Sequence, residues 1–241
     1  MKKNTLLWNI IDFIFPNYCL VCETQVERDK KYVCNTCFSE ILNFDEKYRP
    51  VLLKRINHPA FDDIFIRYQF GPVFRILIHH LKYQQCLQIA EYLGRALSTI
   101  ITGTYDYIVP VPLHKAKLKE RGFNQSTLIA REVSKATALP LSEKILMRRR
   151  YTKTQTHLNR EQRLTNVARA FTLHEKVEGK RILLIDDVIT TGATLNTCAG
   201  LLKAHGAGVV DIAAVATPTT LLQEQLEREV SGNLVSLQKS G

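Results

Sequence analysis

Apolar positions along this chain fall into short, well-separated runs. The clearest is Ile182-Leu183-Leu184-Ile185, held between Arg181 and Asp186. Four consecutive apolar residues predict a strand buried on both faces, the pattern of a parallel sheet. Gly179 ends the turn before it. After Asp186-Asp187, the polar stretch Thr190-Thr191-Gly192-Ala193-Thr194 opens into a helix expected from about Leu195 to His205, closed by Gly206. Val209 to Val215 reads as the next strand, which completes a βαβ unit. A second apolar run, Ile108-Val109-Pro110-Val111-Pro112-Leu113, predicts a short strand ending in a rigid turn. Arg121-Gly122-Phe123-Asn124-Gln125 follows, then a helix through about Ala136. Near the N-terminus, Leu6, Leu7, Ile10, Ile11 and Ile14 fall at helical spacing. A charged amphipathic helix is expected from Leu221 to Val230, with frayed residues after it.

Composition narrows the class. With 45% hydrophobic and 23% charged residues in 241, the chain can bury a core, which excludes wholesale disorder, a collagen-like repeat and a coiled coil. No apolar run approaches the roughly 20 residues needed to span a bilayer. Lys2 and Lys3 before an apolar stretch imitate a signal peptide. Asn9 and Asp12 interrupt that stretch, however, and no small-residue cleavage site precedes Pro16. A cytoplasmic protein is expected.

The formal net charge is +10, and it is concentrated. Between Val111 and Thr165 there are 13 Lys and Arg against four acidic residues, a net +9, so the rest of the chain is close to neutral. Such a segment favours an anionic partner: nucleic acid, a phosphorylated small molecule or an acidic membrane surface.

Cysteine spacing adds a second kind of chemistry. Cys19-Leu20-Val21-Cys22 and Cys34-Asn35-Thr36-Cys37 are two C-x-x-C pairs separated by eleven residues. Each pair can aim two thiolates at one point, and two pairs supply four soft ligands to a tetrahedral structural zinc at about 2.3 Å. Disulfides are the alternative, disfavoured in a reducing compartment; a thioredoxin-like motif would need a βαβ setting that this segment lacks. Cys86 and Cys198 are isolated and read as small buried apolar residues.

The βαβ unit carries the site chemistry. Backbone N–H groups at a helix N-terminus point at an anion, Gly192 permits close approach, and threonine hydroxyls add hydrogen bonds. Two carboxylates beside such a loop suit a polyol or a metal next to the phosphate. A ribose 5-phosphate has both features. The bland alternative is that Asp186 caps the turn and Asp187 is solvated.

Arg181 through Thr194 resembles the phosphoribosyl-pyrophosphate (PRPP) motif of type I phosphoribosyltransferases: an apolar strand, an acidic pair and a Thr/Gly loop. Taken with the four-cysteine N-terminus, Leu81-Lys82-Tyr83, Arg121-Gly122-Phe123-Asn124-Gln125 and Arg148-Arg149-Arg150-Tyr151-Thr152-Lys153-Thr154-Gln155, the order of motifs resembles the ComF family (ComFC- and GntX-like) over residues 10 to 216. The resemblance implies an α/β, type I phosphoribosyltransferase-like fold with a mostly parallel sheet, plus a small N-terminal zinc-ribbon-like module. It puts Asp186 and Asp187 on the ribose hydroxyls, and Thr190, Thr191, Gly192, Ala193 and Thr194 on the 5-phosphate. A pyrophosphate loop maps to Pro112 through Lys115, and a mobile loop to about Arg148 to Arg163. Lys115, Arg121, Arg148 and Lys153 are then candidate pyrophosphate contacts, with Mg²⁺ accompanying PRPP. One departure is Pro112-Leu113-His114, where many type I enzymes carry a small polar loop.

The expected domains are residues 1–45 (N-terminal helix and zinc module), 46–216 (phosphoribosyltransferase-like) and 217–241 (tail). Three functions follow from the resemblance: a PRPP-dependent transferase of unknown acceptor acting in DNA uptake, a single-stranded DNA-binding protein using the basic segment, and a PRPP sensor. Competence helicase or recombination proteins are candidate partners. Few aromatics interleave the basic segment (Phe123 and Tyr151), so a base-stacking platform is not evident.

Overall fold

The computed structural model describes residues 17–26, 32–56, 58–148, 170–220, 222–224 and 226–227. The chain begins with β1 (Asn17–Tyr18), β2 (Gln25–Val26) and α1 (Asn35–Ser39), then a 3-10 turn (Glu46–Tyr48) leading into α2 (Arg49–Ile56). Next come β3 (Asp63–Gln69), α3 (Pro72–Tyr83), α4 (Gln88–Ser98), β4 (Tyr107–Pro110), α5 (Lys115–Arg121) and α6 (Gln125–Thr137). The last elements are β5 (Leu146–Arg148), β6 (Phe171–Leu173), β7 (Arg181–Val188), α7 (Ala193–Ala204) and β8 (Val209–Thr217). The N-terminal helix expected over Leu6 to Phe15 and most of the expected mobile loop lie outside the described residues.

The main sheet is fully parallel in the order β3-β8-β7-β4. Each of the two central strands carries an unbroken apolar run, although Asp211 sits at the third position of β8. Ile182 to Ile185 on β7 and Ile212 to Ala216 on β8 are all fully buried. The edge strand β3 instead alternates, with Ile64, Ile66 and Tyr68 inward between less buried neighbours. This is the burial that parallel sheets covered on both faces impose.

Period-two alternation on β7 divides the core into two layers. Ile182 and Leu184 pack with Leu52 of α2 and Leu195 and Leu202 of α7. Leu183 and Ile185 pack with Leu77 of α3, Leu93 of α4 and Ile129 of α6. Each such side chain stabilises the fold by about 1.5–3 kcal/mol relative to exposure. Helices α4 and α6 approach closely because Gly94 lacks a side chain: a Cβ there would meet Glu132 Cβ at 2.6 Å and the Ile129 carbonyl at 2.8 Å.

The expected βαβ unit is present, with shifted boundaries. Strand β7 continues through the acidic pair to Val188, which pairs with Ala216. Helix α7 starts at Ala193 rather than Leu195, and β8 extends to Thr217. Strand β4 stops at Pro110, although the Val111 N–H still donates to the Ile185 carbonyl at 2.9 Å. A separate helix, α5, precedes the expected one and ends at Gly122 in a left-handed cap (φ 81°). Strands β5 and β6 pair antiparallel, with Arg148 opposite Phe171. The described residues among 220–227 are helical, and none of the described helices is long and apolar enough to cross a membrane.

The N-terminal module is a two-strand hairpin followed by α1. Its Leu20, Tyr32 and Val33, with Ile41 just after it, pack against the α3, α4 and α6 side of the core.

Candidate functional site

The carboxyl ends of β7 and β4 bring together three features: the acidic pair, an open helix N-terminus and a cationic flank. Open parallel sheets bind ligands at this edge.

Asp186 and Asp187 emerge where the buried strand meets the loop. Asp186 Oδ1 accepts from Ser126 Oγ at 2.7 Å and from the Asp187 N–H at 2.9 Å. Asp187 Oδ1 accepts from the Val188 N–H at 2.8 Å, and its Oδ2 forms an ion pair with Lys82 Nζ. Asp187 is only 5% exposed. Burial, and then the neighbouring Asp187 charge, push the Asp186 carboxyl up to about 7, against the pull of Ser126 and Lys82. Both acids are thus held by protein donors, and Asp187 is not simply solvated.

The loop after the pair turns on Gly192, which adopts φ 71° and caps α7 without a side chain. A non-glycine residue is disfavoured in that conformation. Thr190 and Thr191 are exposed, while Ala193 and Thr194 are partly exposed. Thr191 Oγ1 accepts from the Ala193 N–H at a long 3.4 Å. The positive end of the α7 dipole therefore lies at this Thr/Gly loop. Asn196 braces the turn from below, accepting from the Ala60 N–H at 2.6 Å and donating to the His58 carbonyl at 3.3 Å.

The cationic flank comes from the basic segment. His114 Nδ1 caps α5 by accepting from the Ala116 N–H at 3.1 Å. That role requires an unprotonated nitrogen; burial, and then the Arg148 and Lys117 charges, hold His114 below its ordinary value. Lys115, Lys117 and Lys119 are exposed on α5. Arg148 lies on β5 with its guanidinium 5.2 Å from the Phe171 ring centre. Between α5, α6 and β5 lies a cavity of about 380 Å³, lined among others by Pro112, Lys115, Asn124 and Arg148. Asn124 ties this region to the sheet, donating to the Val111 carbonyl at 2.9 Å and capping α6.

Arg121 sits differently from the other cations. It is 8% exposed, donates to Gln125 Oε1 at 3.2 Å and to Tyr83 Oη at 3.3 Å, and lies 5.1 Å from the centre of the Tyr83 ring. Its charge is thus built into the α3–α5–α6 junction. Of the remaining anticipated residues, Lys153 lies outside the described residues. Lys82, Ser126 and Asn124 are members that pattern reading did not assign. Lys82 stood in a recognised stretch, but nothing local shows that its ammonium reaches Asp187.

The four cysteines converge. Cys19 and Cys22 occupy the β1–β2 turn, and Cys34 and Cys37 the start of α1; all four Sγ atoms lie within 4.8 Å of one another. Cys22 and Cys34 Sγ are 3.6 Å apart, close to the roughly 3.8 Å edge of a tetrahedron of sulfurs at about 2.3 Å from zinc. Thr24 hydrogen bonds bring Cys22 down to about 6, whereas burial drives Cys37 up. Burial also opposes ionisation of Cys19, but backbone hydrogen bonds from Cys34, Cys22 and Val21 lower it overall. A donor set of this kind can hold a metal ion such as zinc. Cys198 is fully buried in the core, as its isolation suggested, and Cys86 is partly exposed.

Comparison with known proteins follows the same lines. The phosphoribosyl transferase domain family matches residues 121–235, which include the acidic pair and its loop. The DNA utilization protein YhgH of Escherichia coli O157:H7 is 29% identical over 217 residues, covering 82% of this chain and 95% of that protein. Competence protein F of Haemophilus influenzae is 28% identical, covering 82% and 89%. The competence protein ComFC of Bacillus subtilis is 24% identical, covering 83% and 84%. Relationships that run through most of the chain, joined to a domain match centred on the β7 acidic pair, make this a ComF-family protein with a phosphoribosyltransferase-like domain.

Proposed function

We propose that the α/β domain binds PRPP with Mg²⁺ and that the protein acts in DNA utilization, as the names of its relatives suggest. The 5-phosphate sits in the Thr190 to Thr194 loop at the N-terminus of α7, and the ribose hydroxyls face Asp186 and Asp187. Magnesium enters as part of the substrate, on the pyrophosphate oxygens. Lys115 and Arg148, with Lys153 from the segment after β5, supply positive charge to that group, and Arg121 contributes from beneath. If a transfer follows, the cations stabilise charge on the departing pyrophosphate as the ribose becomes oxocarbenium-like; the acceptor is left open. The cysteine cluster holds one structural zinc.

The observation that carries this reading is the adjacency of a buried, donor-held acidic pair and a helix N-terminus started by a left-handed glycine. Calorimetric titration with Mg²⁺–PRPP tests it. Binding is expected, and the double variant Asp186→Asn with Asp187→Asn should weaken it by about tenfold or more. No binding, or unchanged binding in the double variant, would overturn the reading.

A second activity is favoured by one further observation: Lys115, Lys117 and Lys119 project from α5 as exposed cations within the basic segment. Single-stranded DNA along this surface would bind through its phosphates, with affinity falling as salt rises. Reversing the three lysines to Glu should abolish that binding. Salt-independent affinity, or affinity that survives the reversal, excludes this surface.

A further inference from the structure

Helix α3 has two unlike faces. Val73, Phe74, Leu77, Ile78 and Leu81 are buried in the core. Arg75, His79 and Tyr83 follow one another at intervals of four on the outer side, and all three are exposed. An ordinary solvated face carries charges to its end, but this one finishes in two aromatic rings with centres 5.0 Å apart. Tyr83 is 56% exposed and is nevertheless held in place. Its hydroxyl accepts from Arg121 Nη2 at 3.3 Å, and the guanidinium lies 5.1 Å from the ring centre. Ordering an exposed aromatic costs side-chain entropy with little burial in return. What it provides is a preorganised surface for an incoming flat group.

The surrounding charge indicates the chemistry of that group. Arg121 is the last residue of α5, and Lys117 lies one turn before it on the same side of the helix. Lys115, Lys117 and Lys119 are all exposed, with Glu120 the one acid on α5, and Arg75 adds an exposed cation at the other end of the ring pair. Rings with cations on both sides suit a polymer in which flat bases alternate with phosphates. We propose that Tyr83 and His79 form a base-stacking platform for single-stranded DNA, with the phosphates flanking the stacked bases carried by the α5 lysines and Arg75. This deepens the single-strand reading and rests on it. The basic segment itself contains few aromatics, because the rings come from α3, with Tyr83 38 residues before Arg121. Arg121, only 8% exposed, is a positioning residue that sets the Tyr83 ring from beneath. Every base has a π-face, so the platform accepts strands of any sequence.

Titrating the full chain with a fluorescently labelled oligothymidylate, and with an abasic strand of the same length, separates bases from phosphates. Native protein should prefer the oligothymidylate by about tenfold. Tyr83→Leu should lose about tenfold in affinity for it and bind the abasic strand as native protein does. Its salt dependence should be unchanged, because no phosphate contact is removed. Tyr83→Phe keeps the ring and should bind within about twofold of native protein. Lys117→Gln should instead weaken both strands and make the salt dependence shallower. In native protein, a strand carrying 5-iodouracil should crosslink to Tyr83 or His79 on irradiation. A folded Tyr83→Leu protein with unchanged affinity overturns the proposal. So does crosslinking confined to other residues, which decides the matter if Tyr83→Leu does not fold. Displacement of the strand by excess thymidine monophosphate would assign the platform to a free nucleotide and also overturn it. If native protein binds neither strand, the single-strand reading itself fails and the platform falls with it. If both strands bind with equal, salt-dependent affinity, only the platform is lost.

Discussion

A Cβ added at Gly192 would lie 2.7 Å from Ile56 Cγ1, closer than carbon atoms approach in folded proteins. The same glycine adopts φ 71°, so two separate constraints meet at the entrance of α7. Gly192→Ala should therefore cost about 2 kcal/mol or more, from left-handed backbone strain together with overpacking against Ile56. In an Ile56→Ala background the steric part disappears and the strain remains. The cost of Gly192→Ala should then be smaller by about 1 kcal/mol. Urea denaturation of the four proteins measures the difference, and equal costs in both backgrounds would show that the contact is relieved elsewhere.

Asp186 predicts a specific pH dependence. Its folded value is raised to about 7, whereas an unfolded aspartate titrates near 3.9. Between these values the folded state holds a proton that the unfolded state has released. Stability from this group therefore falls as pH rises from about 4 to about 7, and is level above that. Asp186→Asn should remove this slope, so that its advantage over the native protein grows through that window and then stays constant. Ser126→Ala should extend the slope to higher pH, because the hydroxyl that favours the carboxylate is lost. Melting temperatures across pH 4 to 9 check both; parallel curves for native and Asp186→Asn proteins would contradict the assignment.

The parts of the site that were legible in the sequence are those encoded contiguously. Strand β7, its two acids, the loop and α7 occupy one stretch, and each element is announced by its own chemistry: an unbroken apolar run, then acids, then threonines with a glycine. The cysteine cluster was legible because metal knuckles repeat a fixed spacing. What was not legible depends on chain returns. Ser126 lies 60 residues from Asp186, and Lys82 and Ile56 lie further still from their partners in β7 and the α7 turn. A lysine at the end of an amphipathic helix has the same local appearance whether it faces water or a carboxylate. Strand β3 was missed for a different reason: it is an edge strand whose buried Ile64, Ile66 and Tyr68 alternate with Phe65, Arg67 and Gln69, and the apolar Phe65 blurs the alternation.

The Arg121–Tyr83 contact joins the end of α3 to the turn between α5 and α6. Arg121, itself 8% exposed, donates to the phenol and to Gln125 while lying near the ring of Tyr83, which is 56% exposed. Arg121→Ala should cost about 2–3 kcal/mol, since it removes charge-assisted hydrogen bonds and the cation–π contact together. Tyr83→Phe keeps the ring and should cost about 1 kcal/mol or less. Arg121→Lys should fall between them, because an ammonium cannot bridge both acceptors with a planar fork. Chemical denaturation orders the three; a Tyr83→Phe penalty as large as that of Arg121→Ala would mean the phenol, not the guanidinium, organises the junction.

The metal reading makes the N-terminal module conditional on its ion. The hairpin strands are two residues long and α1 has five, so backbone hydrogen bonds alone cannot hold the segment, and among the described residues its apolar contacts with the core are few, made by Leu20, Tyr32, Val33 and the Phe38–Tyr92 ring pair. Four sulfurs within 4.8 Å of one another repel when ionised, and a divalent cation converts that repulsion into the module's main source of order. Metal-replete protein should contain one equivalent of zinc, and Cys37→Ser should lower that content by at least half. Loss of the ion should uncover the side chains that Leu20, Tyr32 and Val33 protect on α3 and α4, seen as increased binding of a hydrophobic dye. The parallel sheet should persist, because the layer formed with α2 and α7 contains none of the module's described residues. Far-ultraviolet circular dichroism should accordingly change little while dye binding rises. Substoichiometric zinc in metal-replete protein, or a Cys37→Ser variant that keeps its full equivalent, would contradict a four-thiolate site.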